Sequence, residues 1–138
     1  MISNSVVSDA SILFISLSLI IQFLFPIALV IYFYRKYKIS IGAVFIGALV
    51  FLVFQISTRM PLLNILQRTP WFLNISSNSR FLLAFLLAFS AGLFEEGGRY
   101  LGFKYALKSK LEWKNGIAFG IGHGGLESMY IGLANFNN

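Results

Sequence analysis

The apolar residues of this chain occur in long continuous runs, and these runs limit it to a membrane-spanning helical fold. Of its 138 residues, 57% are hydrophobic and 12% are charged, whereas soluble domains carry about 25% charged residues. Apolar runs of this length can cross a bilayer as helices. The sequence therefore predicts an all-α, polytopic transmembrane helix bundle. We expect a single transmembrane domain over residues 1–138 with about four spans, at residues 10–34, 41–57, 81–105 and 115–134.

The longest predicted connection, residues 60–79, joins the second and third spans. It begins with an apolar stretch after Pro61 and then carries Trp71, a residue type that is enriched at membrane–water boundaries. We expect a short helix here that lies in the interface, with Trp71 as an anchor. Its apolar residues are Leu62, Leu63, Ile65 and Leu66.

The net charge of +6 comes from basic residues in the predicted loops. The first and third loops hold seven of them and the second holds three, so the positive-inside rule places the first and third loops in the cytoplasm and both termini outside. No basic face with interleaved aromatics stands apart from the spans, and we therefore expect no nucleic-acid partner. The absence of cysteine excludes disulfides, thiolate metal sites and cysteine nucleophiles. The basic residues are Arg35, Lys36, Lys38, Lys104, Lys108, Lys110 and Lys114, and then Arg59, Arg68 and Arg80.

Charged side chains occur inside two of the apolar runs. Glu95, Glu96 and Arg99 lie in the third predicted span, and His123, the single histidine of the chain, lies with Glu127 in the fourth. A charge at the centre of a spanning helix costs roughly 2.5–3.5 kcal/mol on insertion scales, and such groups usually face the bundle interior and carry function. An active site is therefore the leading hypothesis.

The spacing of these residues predicts that the third and fourth spans bring them together. Glu95 lies nine residues before Lys104, and His123 lies nine residues after Lys114. At 1.5 Å per residue, both would lie about 13 Å from the same membrane boundary. If the two spans are antiparallel neighbours, Glu95 and His123 meet at one depth.

Several interpretations of these side chains remain open at this stage. Arg99 is spaced to pair with Glu95 or with Glu96, either as a structural ion pair or in a way that leaves one carboxylate free for acid–base chemistry. His123 and Glu127 lie on one helical face. They could bind a metal with Glu95 or Glu96 as third ligand, could activate water together, or could satisfy each other by a hydrogen bond.

Glycine is frequent around these charges, and two glutamines stand in apolar surroundings. The glycines favour close helix packing, or they leave room for water and a substrate backbone beside His123. We expect Gln22 and Gln55 to make hydrogen bonds between helices. The glycines are Gly92, Gly97, Gly98, Gly102, Gly116, Gly120, Gly122, Gly124 and Gly125.

Three short motifs follow one another inside the predicted spans: Glu95-Glu96-x-x-Arg99, Phe119-x-x-x-His123 and Gly124-Gly125-x-Glu127. In this order they resemble the YhfC family of intramembrane proteases, which is related to the CAAX-prenyl proteases and bacteriocin-processing enzymes. The resemblance covers residues 91–132 and, more loosely, the hydropathy upstream. It implies an integral protein in the plasma membrane of a prokaryote.

The resemblance also implies roles for the residues of the motifs. Glu95 would be the general base that acts on a water, and His123 would hold that water and the developing charge. Glu96 would pair with Arg99 and support the site. Glu127 matches an additional acid of the YhfC pattern. The implied partners are membrane lipid and a membrane-associated peptide or protein substrate.

Two departures from the wider group bear on these expectations. The arginine comes one residue earlier than in the wider Glu-Glu-x-x-x-Arg motif, which fits the YhfC variant. A third motif, a His with an Asn or Asp, is absent, so we expect the N-terminal part of a longer architecture. The missing motif would supply oxyanion stabilisation, commonly worth about 10²–10³ in rate, and an inactive short chain is one expectation.

The sequence thus predicts an intramembrane peptidase of glutamic type that uses Glu95 and His123, supported by Glu96, Arg99 and Glu127, without a cofactor. One alternative is a metal-dependent protease with zinc on His123, Glu127 and Glu95. Another is a non-enzymatic membrane protein that serves proton-coupled transport or an immunity or accessory role.

Overall fold

A computed structural model describes residues 9–108 and 112–136, and the part of the chain that it describes is helical almost throughout. The termini and Lys110 of the predicted third loop lie outside this part. The elements are α1 (Asp9–Tyr37), α2 (Ile41–Phe51), the π-helical segment π1 (Leu52–Arg59), α3 (Met60–Leu66), α4 (Pro70–Asn78), α5 (Arg80–Leu101), the π-helical segment π2 (Gly102–Ala106) and α6 (Trp113–Phe136).

Short polar turns separate the long helices. Lys38 adopts a left-handed backbone conformation, with φ of 56°, where the chain reverses between α1 and α2. The Ser40 hydroxyl then accepts a hydrogen bond from the Ala43 N–H at the start of α2, and the Ser79 hydroxyl does the same for Leu82 at the start of α5. Serine is a favoured residue at this capping position, because its oxygen satisfies one of the free N–H groups of the first turn.

The second span is longer than its sequence pattern indicated. The prediction ended this span at Ser57 and placed a separate interfacial helix at residues 62–66, but α2, π1 and α3 form one continuous apolar helix, Ile41–Leu66. Proline lacks an N–H, and its ring clashes with the carbonyl four residues back. Directly before Pro61, the Met60 N–H instead bonds the Gln55 carbonyl, five residues back, so the wider ladder lets the helix continue. The separate short helix between the second and third spans is α4, which contains Trp71.

Three helices in the described part of the chain are long and apolar enough to cross a membrane, where about four were expected: Ser11–Tyr37, Ile41–Leu66 and Arg80–Ala106. At the fourth predicted position, α6 has 24 residues, which at 1.5 Å each is long enough to span. Its six glycines, together with His123 and Glu127, make it less apolar than the other three. That α6 crosses the membrane stays a prediction.

The core lies where α6 packs against α2. The most extensive contact in the molecule joins α2 and α6, and the next joins α1 and α6. Phe119 is buried at the centre of the core, among residues from both ends of the α1–α2 turn and from π2. The outer surfaces of α1 and α5 are largely exposed, as expected for helices that face lipid. The buried core residues are Ile39, Ala43, Val50, Leu107, Ala118 and Phe119.

The third and fourth predicted spans are not the principal neighbours that the sequence suggested. Instead, α5 packs on α2, π1 and α4, and its contact with α6 is at most slight. The second span therefore lies between the helix that carries Glu95 and the helix that carries His123. It contacts both of them and sets their relative register.

Candidate functional site

Two glycines allow α2 and α6 to approach to backbone contact. A Cβ atom at Gly47 would overlap the carbonyl of Phe119, and a Cβ atom at Gly122 would overlap the carbonyl of Val44. Small residues commonly permit this kind of close approach between membrane helices. The approach places His123 at the interface, since its backbone nitrogen lies 3.0 Å from where a Cβ of Gly47 would stand.

His123 is a buried histidine held between aromatic rings. Its side chain lies edge-on to Phe51, with ring centroids 5.5 Å apart, and nearly parallel to Phe119 at 6.1 Å. The residue is only 6% exposed. The backbone of Gly47 is close, but neither Nδ1 nor Nε2 has a partner with hydrogen-bond geometry among the described residues. A buried polar group without a partner is destabilising, so the imidazole is a candidate for contact with water, an ion or a substrate group.

On α5, Arg99 forms ion pairs with the carboxylates of both Glu95 and Glu96. Its Nη2 atom lies 3.0 Å from Oε2 of Glu95 and 3.3 Å from Oε1 of Glu96. The Glu95 side chain is 22% exposed, whereas that of Glu96 is 73% exposed, so Glu95 is the inward-facing member of the pair. The Nε atom of Arg99 is buried and has no hydrogen-bond partner in the described structure. All three charges act on the imidazole of His123.

A glutamine on the second span completes the contacts of Glu95. Gln55 is 5% exposed, and its Nε2 donates a hydrogen bond to Oε1 of Glu95, forty residues along the chain. This confirms the expectation that Gln55 bonds between helices. The Gln22 side chain instead donates a hydrogen bond to the Ser18 hydroxyl within α1. Both oxygens of Glu95 therefore accept a hydrogen bond from a fixed donor.

The assignment of Arg59 to the second loop is wrong. Arg59 lies on π1, and its guanidinium donates to the Leu87 carbonyl at 2.9 Å, to the Ser90 hydroxyl at 3.3 Å and to Oε1 of Gln55 at 3.4 Å. Its spacing of four residues from Gln55 was the available signal, because two polar residues at that spacing share a helical face. Proline two residues later directed the interpretation towards a loop.

The packing contacts give the relative depths of the charged residues. Gln55 meets Glu95 and Arg59 meets Leu87, so the second span and α5 are antiparallel. The same span runs parallel to α6, since Val44 lies against Gly122 and Phe51 against Tyr130. It follows that α5 and α6 are antiparallel, as the sequence predicted.

The register between α5 and α6 differs from the sequence estimate. The Phe119 ring lies against Gly102, which is seven residues from Glu95, whereas Phe119 is four residues from His123 and eight from Glu127. Glu95 thus lies nearer to the depth of Glu127 than to that of His123. The reason is that α2 fixes the register, whereas the sequence estimate used the positions of loop lysines.

Glu127 is half-buried on α6 and borders an open groove of about 350 Å³ together with Gln22 of α1. The charges of Glu95 and Arg99 act on it. No hydrogen bond joins Glu127 to either ring nitrogen of His123, so the interpretation in which the two satisfy each other is not met in this structure.

The glycines divide into two groups. One group packs closely, as at Gly98, where a Cβ would lie 2.8 Å from the Phe54 ring, and at Gly125, where it would lie 2.9 Å from Pro26. The other group has nothing within 4 Å of the Cβ position, so its members leave open space. The interpretation of close helix packing thus applies to the first group. That glycines leave room for water and a substrate backbone beside His123 stays a prediction. The open positions are Gly92, Gly97, Gly116, Gly120 and Gly124.

Comparison with known proteins places these features in a family. Residues 21–138 match the family model described as YhfC intramembrane metalloprotease. The chain belongs to this YhfC family. It is 38% identical over 135 residues to the "Uncharacterized membrane protein YhfC" of Bacillus subtilis (strain 168), with 91% of this chain covered. The aligned part is 48% of that relative, so the chain spans about half its length. No solved structure matches the chain.

The family match confirms the resemblance seen in the motifs and supports an intramembrane protease in general terms. Together with the three apolar helices, it identifies this YhfC-family chain as an integral membrane protein. The description of the family as a metalloprotease points to a metal, which agrees with the zinc alternative rather than with the expectation of no cofactor.

The residues described here do not by themselves form the metal site that the YhfC description implies. A catalytic zinc usually takes three protein ligands and one water. Among residues 9–108 and 112–136, no group of three His, Cys, Asp or Glu side chains is placed to hold a metal, so His123, Glu127 and Glu95 are not a ready ligand set. The unpartnered nitrogens of His123 give it the capacity to be one ligand.

Proposed function

We propose that this chain provides a catalytic centre of an intramembrane peptidase that hydrolyses a membrane-associated peptide. The observation that carries the proposal is a group of three buried nitrogens that lack partners among the described residues: Nε of Arg99 and both ring nitrogens of His123. They lie within the electrostatic reach of Glu95, whose two oxygens are held by Gln55 and Arg99. An unpaired Arg99 N–H donor, together with an imidazole that carries one N–H and one acceptor nitrogen, suits a site that binds water and a carbonyl oxygen.

In this mechanism Glu95 is the general base. It removes a proton from a water molecule while the water oxygen forms a bond to the peptide carbonyl carbon, and negative charge develops on the carbonyl oxygen. The Arg99 Nε–H is a donor available to that oxygen, and His123 holds the attacking water. Glu95 then returns the proton to the departing amine as the C–N bond breaks. Glu96 shares the Arg99 guanidinium and keeps it in place.

The test is peptide cleavage by the purified protein in detergent or liposomes. We expect Glu95→Gln and His123→Ala each to lower the cleavage rate by at least about 10²-fold, the usual scale for general acid–base groups. Glu112→Gln is the matched control, because Glu112 is an exposed glutamate outside the spans, and it should cleave like the wild type. Retained cleavage in Glu95→Gln would reject the proposal.

If the wild-type chain does not cleave the peptide, the same assay is run on the Bacillus subtilis relative, which is about twice as long. Its result then decides whether the peptidase proposal stands. Absence of cleavage there as well would reject a peptidase. Cleavage by the relative alone would mean that this chain holds only part of the catalytic machinery.

A metal-dependent peptidase is the second candidate, and the unpartnered His123 nitrogens together with the family description favour it. A metal bound there would polarise the scissile carbonyl and activate water. Since His123 is one ligand at most in the described arrangement, this candidate requires others to be brought to it. Loss of cleavage with a chelator, recovery with zinc, and loss of bound zinc in His123→Ala would support it. Chelator-resistant cleavage would favour the glutamic type.

A further inference from the structure

The connection between the second span and the candidate site is made by an amide, not by a charge. Gln55 is one of three buried polar residues in the described part of the chain, with His123 and Asn115, and its side chain contacts Glu95 on one side and Arg59 on the other. The apolar window of this span is the most buried of the three candidate spans. A buried polar side chain that links two helices at this depth has few alternative partners.

The chemistry of its two neighbours fixes the orientation of the Gln55 amide. A guanidinium has only donors, so the amide oxygen faces Arg59. An ionised carboxylate has only acceptors, so the amide nitrogen faces Glu95. Reversing the amide would oppose donor to donor at Arg59 and acceptor to acceptor at Glu95. The Gln55 amide therefore has one favourable orientation, in which Glu95 accepts a hydrogen bond from the amide nitrogen.

Arg59 is itself immobilised by α5. Its Nη2 donates to the carbonyl of Leu87, and its Nε donates to the hydroxyl of Ser90, which in turn donates to the same carbonyl. A side chain tied at two points of the neighbouring helix can hold the Gln55 oxygen in place. The contacts thus form a chain that begins on α5 at Leu87, passes through Arg59 and Gln55 of the second span, and ends on α5 at Glu95.

The π-helical segment π1 carries both Gln55 and Arg59, the two residues that contact α5. The Gln55 carbonyl accepts from the Met60 N–H, five residues on, and the Thr58 hydroxyl donates to the Val53 carbonyl, five residues back. Such wide turns are rare and occur frequently at functional sites. Here the wide turn coincides with the two side chains that reach α5: Gln55 contacts Glu95, and Arg59 contacts Leu87 and Ser90.

We infer that Gln55, oriented by Arg59, is the positioning residue that holds the Glu95 carboxylate for catalysis. This inference rests on the proposed role of Glu95 as general base. Gln55 donates to one carboxylate oxygen while Arg99 holds the other, so the carboxylate cannot rotate away from the water that it deprotonates. Its effect on the reaction is exerted through Glu95.

The direct test is infrared spectroscopy of protein labelled with ¹³C at the glutamate carboxyl groups, which is practicable because the chain has five acidic residues in all. The difference between wild type and Glu95→Gln identifies the Glu95 band. We expect Gln55→Met, which keeps the side-chain length and removes the donor, to shift that band. Gln22→Met is the matched control, since Gln22 bonds within its own helix, and it should leave the band in place.

Two further observations make the result decisive. Arg59→Met should shift the same band by less than Gln55→Met, because it releases the amide without removing it, and it replaces Gln55→Met if that variant does not fold. In the cleavage assay, Gln55→Met should lower kcat by about 10- to 100-fold with KM unchanged. An unshifted Glu95 band in both variants would overturn the inference. A shifted band with unchanged kcat would overturn it too, since Gln55 would then touch Glu95 without aiding it.

A different experimental result would reject the proposed function. If Glu95→Gln cleaves at the wild-type rate, Glu95 is not the base, whatever Gln55 does to its band. If Glu95→Gln is inactive while Gln55→Met keeps both its band and its kcat, only the positioning role is rejected.

Discussion

Gly122 on α6 lies directly against the carbonyl of Val44 on α2, with no room for a Cβ between them. This contact and the matching one between Gly47 and Phe119 bring the two helices to backbone distance, and His123 lies within the interface that they form. The position of the histidine thus depends on two residues that have no side chains.

We expect Gly122→Ala to destabilise the folded protein strongly. The added Cβ meets backbone rather than a flexible side chain, so the helices must separate. The free energy of unfolding should fall by about 1–3 kcal/mol or more, the range typical of overpacked cores. Gly120→Ala is the matched control on the same helix, because nothing lies within 4 Å of its Cβ position. Alanine favours a helix over glycine by up to about 1 kcal/mol, so the control should be neutral or slightly stabilised. Thermal unfolding in detergent compares them, and equal midpoints would contradict the contact.

Arg59→Met should weaken the attachment of α5 to the second span. The substitution removes the donors to the Leu87 carbonyl and to Gln55. The Leu87 carbonyl keeps the Ser90 hydroxyl as a donor, but the buried Gln55 oxygen loses its Arg59 donor, and such a loss commonly costs about 1–3 kcal/mol. Arg68→Met, at an exposed position, should leave the unfolding midpoint unchanged. If both variants unfold at the wild-type midpoint, Arg59 does not contribute the contacts described here.

Replacing the histidine by an aromatic residue of similar shape should stabilise the protein. In His123→Phe the two unpartnered buried nitrogens are removed, and the new ring can stay between Phe51 and Phe119. Removing an unsatisfied buried group relieves a penalty of about 1–3 kcal/mol, so the unfolding midpoint should rise while cleavage is lost. A lower midpoint would indicate that the nitrogens are satisfied in the folded protein.

Membrane orientation can be tested with single cysteines, because the chain contains none of its own. By the positive-inside rule, a membrane-impermeant maleimide added outside should label Arg68→Cys but not Lys38→Cys. Phe136→Cys, at the end of α6, should be labelled like Arg68→Cys if α6 crosses the membrane. Labelling of Lys38→Cys from outside would reverse the predicted orientation, and protection of Phe136→Cys would show that α6 does not cross.

Local patterns predicted the features that depend on neighbouring residues along the chain. The apolar runs predicted helices because a helix satisfies its own backbone hydrogen bonds within the bilayer. The spacing of Glu95, Glu96 and Arg99 predicted their ion pairs because residues three and four apart share a helical face. The helical continuity through Pro61 was missed, since the π-helical turn before it depends on packing as well as on sequence.

The order of the residues was enough to predict a helical membrane protein, to locate its charged groups in two of the helices, and to indicate the family from the motifs. Three features became visible in the folded molecule alone: the second span lies between Glu95 and His123, Gln55 reaches Glu95 while Arg59 holds Gln55, and the ring nitrogens of His123 lack partners among the described residues. The reason is physical: helix formation and pairing on one face follow from local spacing, whereas the register between helices is fixed by side-chain contacts such as those at Gly47 and Gly122, which join residues far apart in the chain.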